Sequence, residues 1–327
     1  MPLRVRNTLT LSIALVGVTL AAPPPDPLSP TSTAPMRTPD GQPDLQGYWS
    51  NASLTPLERP KELGNKAFYT AAQAAAATKK EVAAPEATGP GTYADVHYNM
   101  AQYGLDKTQL KLAANLRTSL ITDPPDGQIP LMTPEGLKRN ADRAALRKGH
   151  EFDGPENRGL AEQCILWGNE GPPMMPVGYN SNLQIVQGPG YVAILQEMIH
   201  DVRMIPTDNS PHLPPNIRQW FGDSRGHWEG DTLVVDTTNF RPETAFHGSS
   251  ESLHVVERFR RVDADTILYQ FTVDDPSTWT RPWSGEIPMT RIKGRIFEYA
   301  CHEGNYGIVN SLSGARAEER KQEQVAK

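Results

Sequence analysis

Two cysteines in a chain of 327 residues exclude a disulfide-dense scaffold and a cysteine-built metal cluster. The eight histidines contain no His-x-His and no His-Glu-x-x-His spacing, so no dedicated metal site is expected. No Gly-rich loop follows a strand and opens a helix. Gly168–Gly171 and Gly188–Gly190 lack the spacing of a nucleotide loop, and no cofactor is expected. Basic blocks are missing too: 32 Lys and Arg stand against 38 Asp and Glu, a net charge of −6, which argues against nucleic acid or anionic lipid as a main partner. Beyond the first segment no apolar run approaches the roughly 20 residues of a membrane-spanning helix, so no stable membrane insertion is expected.

The first segment is different. Arg4 and Arg6 precede an uncharged apolar run from Leu9 to Leu20, then Ala21, Ala22 and three prolines. That length and order are those of a cleavable export signal over residues 1–21, cut after Ala21. The expected location is periplasmic or extracellular. An oxidising exterior favours pairing Cys164 with Cys301. If bridged, they fix the last part of the chain beside Gln163–Gly171.

Residues 22–43 are rich in Pro, Ser and Thr and read as a flexible leader. A single domain is expected over 44–316, followed by a charged tail at 317–327. With 30 prolines, 26 glycines and 7% aromatics, the chain calls for turns and long connections rather than a helical bundle. Three helices are expected in the first half: Thr70–Lys80, Asp106–Leu116, and one opened by Thr133-Pro134-Glu135 and running to Lys148. From about 180 the pattern is strand-like. Asn182–Gln187 and Tyr191–Ile205 flank Gly188-Pro189-Gly190. Asp231–Asn239 follows the turn Glu229-Gly230, and Leu253–Val262 and Thr266–Asp274 flank Asp263-Ala264-Asp265. Ile287–Thr290 and Arg295–Cys301 read as a last pair. The expectation is a mainly β protein with a helical N-terminal half, its strands forming an antiparallel barrel or sandwich. Gly47-Tyr48-Trp49 adds a short match to the first strand of lipocalin-type barrels, where Trp plugs one end.

Candidate site residues come from polar groups in apolar rows. On one long strand Gln196 and His200 fall in the same row, and Asp201 and Arg203 in the other. Glu257 interrupts Leu253, Val255 and Phe259, and a buried carboxylate there needs a partner such as Arg203 or Arg225. Gly222–Asp231 gathers Asp223, Arg225 and Trp228 in what reads as a polar loop at a pocket mouth. A self-capping turn is the other reading. Ser224 lacks the Gly-x-Ser-x-Gly context of a nucleophile elbow. His302 beside Glu303 joins an imidazole to a carboxylate.

The strings Leu120–Gly127, Gly222–Asp236 (Gly-Asp-Ser-Arg-Gly-His-Trp-Glu-Gly-Asp-Thr-Leu-Val-Val-Asp) and Glu298–Asn305 (Glu-Tyr-Ala-Cys-His-Glu-Gly-Asn) resemble those of a large group of exported bacterial proteins of unassigned function. The resemblance runs from Pro43 to Arg316. It implies export and one integrated domain, and adds no catalytic assignment.

Three functions fit these residues. The first is an exported enzyme, a hydrolase or lyase, using acid–base chemistry on a small organic or carbohydrate-like substrate. His200, His302, Glu257 and Asp201 would be its catalytic set, and Arg225, Trp228, Gln196 and Asp223 its binding set. The second is a non-catalytic binding protein with a lipocalin-like cavity. The third is a structural or interaction domain of the cell envelope.

Overall fold

The computed structural model describes residues 36–83, 112–168, 170–177 and 180–326. The expected signal at 1–21 and most of the helix expected at Asp106–Leu116 lie outside them. Residues 112–116, the described end of that segment, form a turn rather than a helix.

Ten strands form one antiparallel sheet: β1 (Gly47–Ser50), β2 (Ile121–Asp123), β3 (Asn182–Gly188), β4 (Tyr191–Gln196), β5 (Val202–Pro206), β6 (Asp223–Glu229), β7 (Thr232–Thr238), β8 (His254–Arg261), β9 (Thr266–Asp274) and β10 (Trp283–Arg291). The path runs β5-β4-β3-β1-β10-β9-β8-β7-β6, with β2 added on β10. It curls into a nearly closed barrel. Every step is antiparallel, so eight reversals leave β5 and β6 pointing the same way. No ladder joins them among the described residues. Two parallel neighbours need a long crossover, and residues 207–222 supply it. The odd strand number therefore makes the two edges of the seam parallel.

Directly opposed residues share a sheet face, and the register builds the interior in layers. One layer is Ser224, Thr237, Val255, Val273 and Trp283. The next is Gly226, Val235, Glu257, Phe271 and Gly285, and the third is Trp228, Leu233, Phe259, Tyr269 and Ile287. Phe259, Tyr269, Phe271 and Trp283 are essentially fully buried and pack ring against ring. At one end Trp49 is fully buried. Its indole nitrogen donates to the Leu45 carbonyl, and the Arg291 and Arg261 guanidinium groups lie 4.5 and 5.5 Å from its ring centre.

Three α-helices occur among the described residues: α1 (Ala71–Ala83), α2 (Pro134–Arg147) and α3 (Tyr306–Val325). Thr133 caps α2 by accepting from the Gly136 amide at 3.0 Å, with Pro134 at the first helical position, as the sequence predicts. α3 corrects one expectation, that helices are confined to the first half, and it takes in residues 317–325 of the charged tail. Residues 295–301 form no strand; β10 pairs with β9, β1 and β2 instead. Residues 36–43 are a closed turn, tied by Arg37 to Asp231 at 2.8 Å, and not part of a loose leader.

Candidate functional site

Cys164 and Cys301 are bridged, with their Cα atoms 5.7 Å apart. The bridge sets the C-terminal segment beside residues 162–164, where Asn305 donates to the Glu162 carbonyl at 2.9 Å. Around this corner the expected long strand Tyr191–Ile205 breaks. β4 ends at Gln196, β5 begins at Val202, and Ile199 and His200 between them take left-handed backbone (φ 58° and 53°). A β-branched residue there is an outlier, held by its surroundings. Buried Glu197 supplies part of that hold, accepting from Asn182 Nδ2 at 2.6 Å and from the Phe297 amide at 3.0 Å. The break removes His200 from the Gln196 row: it is exposed, and its Nδ1 donates to the Tyr299 carbonyl at 2.8 Å.

Behind the break lies a buried polar network. Glu257 is fully buried and accepts from Arg203 Nη2 at 3.1 Å and from the Tyr269 hydroxyl at 2.8 Å. Arg203 Nη1 is 2.9 Å from the second Glu257 oxygen. This is the Arg203 partnership anticipated for a carboxylate in that row. Tyr269 accepts in turn from the Met174 amide at 2.8 Å. Gln196 ties the same region together: its side chain donates to the Glu170 carbonyl and its amide to the Asp201 carbonyl.

Glu170 is the group that sequence reasoning missed. It is fully buried, one oxygen accepts from the Trp167 amide at 2.8 Å, and the other has no hydrogen-bond partner among the described residues. Burial, aided by the nearby Asp201 charge, pushes its carboxyl up to about 8. Burial also raises Asp201, with His200 pulling the other way. No motif marks Glu170; its environment comes from the tertiary packing.

The seam between β5 and β6 opens into a cleft of about 520 Å³, within the range of small-molecule sites. Asp201 and Arg203 line one side; Arg218, Trp220 and Asp223 line the other, with Arg241 nearby. Arg241 lies 4.2 Å from the Trp220 ring centre. Each arginine already has an acid: Arg203 has Glu257, Arg218 has Glu251 at 3.4 Å, and Arg241 has Glu243 at 3.2 Å.

Gly222–Asp231 is not a loop. It is mainly β6, and alternation sends its residues to opposite faces. Trp228 turns inward onto the core, so it is no plate at a pocket mouth. Asp223 is buried and saturated: Arg225 Nη1 donates to one oxygen at 2.7 Å, and His212 Nδ1 and the Leu213 amide approach the other at 2.8 and 2.9 Å. His212 Nε2 meets Asp236 at 3.0 Å, and Asp236 meets His254 at 2.7 Å. The hydrogen bond from His254 holds Asp236 below its ordinary value and raises His254 in return. These contacts pin the crossover to β6, β7 and β8, and the distance in sequence between His212, Asp223, Asp236 and His254 hides them from sequence reading. No group of three or more His, Cys, Asp or Glu fit to hold a metal occurs among the described residues.

The structure thus brings Asp201 and Asp223 to one cleft, with Glu257 behind it through Arg203, Gln196 behind Asp201, and Arg225 behind Asp223. His302 is exposed beyond the disulfide, and neither it nor His200 is a hydrogen-bond partner of Glu257 or a lining residue of the cleft. No family model matches the chain, and neither a curated protein nor a solved structure matches it.

Proposed function

We propose that this chain is an exported enzyme that applies acid–base chemistry, hydrolysis or elimination, to a small organic or carbohydrate-like substrate in the β5/β6 cleft. The observation that carries this reading is a pair of neighbouring carboxyls in unlike surroundings. Glu170 is sealed and keeps its proton at neutral pH, while Asp201 opens on the cleft. Environments that separate two carboxyls in this way create acid and base roles. Asp201 is then the group that takes or returns a proton. Glu170, outside the cleft lining, is a positioning residue that acts through Asp201. Arg203, fixed by Glu257, supplies a stationary positive charge for developing negative charge on the substrate. Export is supported by the Cys164–Cys301 bridge.

A second reading, a non-catalytic binding protein, is favoured by the placement of His200 and His302 away from the cleft and by the arginines that line it. The barrel layers described above are filled with side chains, so its ligand would sit in the seam rather than in a lipocalin-like lumen.

One experiment separates the two. A panel of small esters, lactones and glycosides is screened for thermal stabilisation of the whole protein, and each binder is then assayed for consumption. The enzyme reading expects at least one binder to be consumed by the wild type, and by Asp201→Asn at least about a hundredfold more slowly. It further expects Glu170→Gln to move the pH profile of that turnover. Binders that persist unchanged with the wild type decide for the binding protein, and a panel without binders removes the cleft reading.

A further inference from the structure

A second pocket, of about 430 Å³, lies between α2, residues 156–163 and residues 242–245. Nothing in the cleft chemistry above uses it. Its charged lining is Arg143, Arg147, Arg158, Glu156 and Glu243. Three of these charges are settled or opposed. Arg158 pairs with Glu162 at 2.7 Å, Glu243 is held by Arg241 at 3.2 Å, and Glu156 is an exposed rim acid.

Arg143 and Arg147 are different. Arg143 donates to two backbone carbonyls, Ser249 at 2.9 Å and Pro242 at 3.2 Å, and forms no ion pair among the described residues. Burial and the neighbouring Arg139 both work against its charge. Arg147, one helical turn on, has no side-chain hydrogen bond or ion pair among the described residues. Residues four apart lie on one helix face, so the two guanidinium groups look into the same space, neither in an ion pair among the described residues and Arg143 opposed only at longer range by Asp275 and Glu243.

The rest of the lining is apolar. Leu146, 76% exposed, gives the pocket an apolar edge. Leu160, Pro242 and Ala245 complete this surface. Ala245 holds left-handed backbone (φ 40°, ψ 45°), a conformation an alanine rarely adopts, which sets this wall where it stands. Two cations beside an apolar floor match one ligand chemistry. A guanidinium fork takes a carboxylate through paired hydrogen bonds, and a hydrocarbon body covers leucine and proline. A polyphosphate fits poorly, because the charges number only two and Glu156 stands at the rim.

We propose that this pocket binds a small amphipathic carboxylate, with its acid group between Arg143 and Arg147 and its hydrocarbon body on Leu146, Leu160 and Pro242.

Octanoate is the probe, titrated into the full-length protein by calorimetry and by amide chemical-shift mapping. Saturable binding with shifts at Leu146, Leu160 and Ala245 is expected. Arg147→Gln, on the exposed end of the helix, should weaken it roughly tenfold, the effect of losing about 1.4 kcal/mol. Leu146→Asp should weaken it at least as much, and 1-octanol should bind more weakly than octanoate. Arg143→Gln is read only beside its thermal melt, since Arg143 also anchors residues 242–249. The proposal is overturned by any of three results: no saturation up to about 10 mM, weaker than the roughly millimolar affinity such contacts support; equal affinity in Arg147→Gln; or shifts confined to Asp201 and Trp220 in the seam cleft.

Discussion

From β7 to β10 the wall is joined by continuous ladders, and its inward side is dominated by aromatic and aliphatic residues: Phe259, Tyr269, Phe271 and Trp283 are all essentially fully buried. At the seam, β5 and β6 share no ladder, and the groups behind and along it are Glu170, Asp201, Arg203 and Asp223. The laddered wall satisfies its backbone groups through its neighbours and can afford a dry interior. At the seam, whose two edges run parallel, no ladder does so among the described residues. Side-chain networks take over there: Arg203–Glu257–Tyr269 within, and Arg225–Asp223–His212–Asp236–His254 outside. Polar groups that substitute for a ladder also make a surface able to bind and react. The contrast teaches that buried and half-buried charge in this fold gathers where the barrel is left unfinished, which is where the proposed site lies.

The largest effect expected at the seam is one of pH. Glu170 sits at about 8 in the folded protein and near 4.5 when exposed. Between these values the folded state keeps a proton that the unfolded chain has released. Stability is therefore full below about 4.5 and is lost as pH rises through about 8. The limiting loss is on the order of 4–5 kcal/mol, less where water or local movement relieves the charge. Urea denaturation at pH 5 and pH 8.5 should show this slope in the wild type. Glu170→Gln should flatten it and exceed the wild type in stability at the higher pH; the same slope in both proteins would move the buried proton elsewhere.

Next comes the ion pair that crosses the interior. Removing one partner leaves the other charged and buried, which costs about 3–5 kcal/mol. Glu257→Ala should lose that much in denaturant unfolding, while the double change Arg203→Met with Glu257→Leu should recover most of it. Phe271→Ala, in the same layer, should cost a similar amount through an aromatic cavity, about 3–5 kcal/mol, and no second-site polar change should rescue it. A loss below about 1 kcal/mol for Glu257→Ala, no more than an exposed pair gives, would mean that the network does not hold the seam.

Much of the laddered wall is legible in the sequence. Thr232–Thr238 follows Glu229-Gly230, and His254–Arg261 and Thr266–Asp274 flank Asp263-Ala264-Asp265, because alternation and turn residues agree there. The seam is not. The break at residues 197–201 contains no Gly, Pro or Asn, and its left-handed residues are Ile199 and His200, which no turn rule proposes. Gly222–Asp231 looks like a loop because Asp, Ser and Gly dominate it. Its inward row, Ser224, Gly226 and Trp228, is recognisable only once β7 is beside it. α3 escaped because no apolar stripe marks it, and none of its residues is buried. Among the candidate residues, the burial of Glu257 and its Arg203 partner are readable from its row, whereas Asp201 sits in the break between β4 and β5 rather than on the strand that the alternation suggests. Glu170 is not readable, since its unusual proton affinity is a product of burial that the chain creates far away in sequence.

The smallest effect compares two glycines of one layer, one on each side of this contrast. A Cβ on Gly285, in the laddered wall, would lie 2.5 Å from Phe271 Cζ and 3.0 Å from the Leu120 carbonyl oxygen, inside a strand paired on both edges. A Cβ on Gly226 would lie 2.9 Å from Ile205 Cγ2 and 3.0 Å from Thr207 Cγ2, across the seam. The clashes are alike in kind, but the neighbours differ in freedom. Phe271 lies in a strand laddered on both sides and the Leu120 carbonyl accepts from the Glu286 amide at 2.9 Å, whereas no ladder joins β5 to β6 among the described residues and β5 can give way. Gly285→Ala should therefore cost about 3 kcal/mol, the upper part of the overpacking range, and Gly226→Ala only about 1 kcal/mol. Gly226→Ala should also widen the cleft, so a seam ligand found in the thermal screen should change affinity in that variant and not in one altered on the laddered side. Equal costs for the two substitutions would show that β5 and β6 are held as firmly as any paired strands, and the seam would lose its claim to be the adaptable side of the barrel.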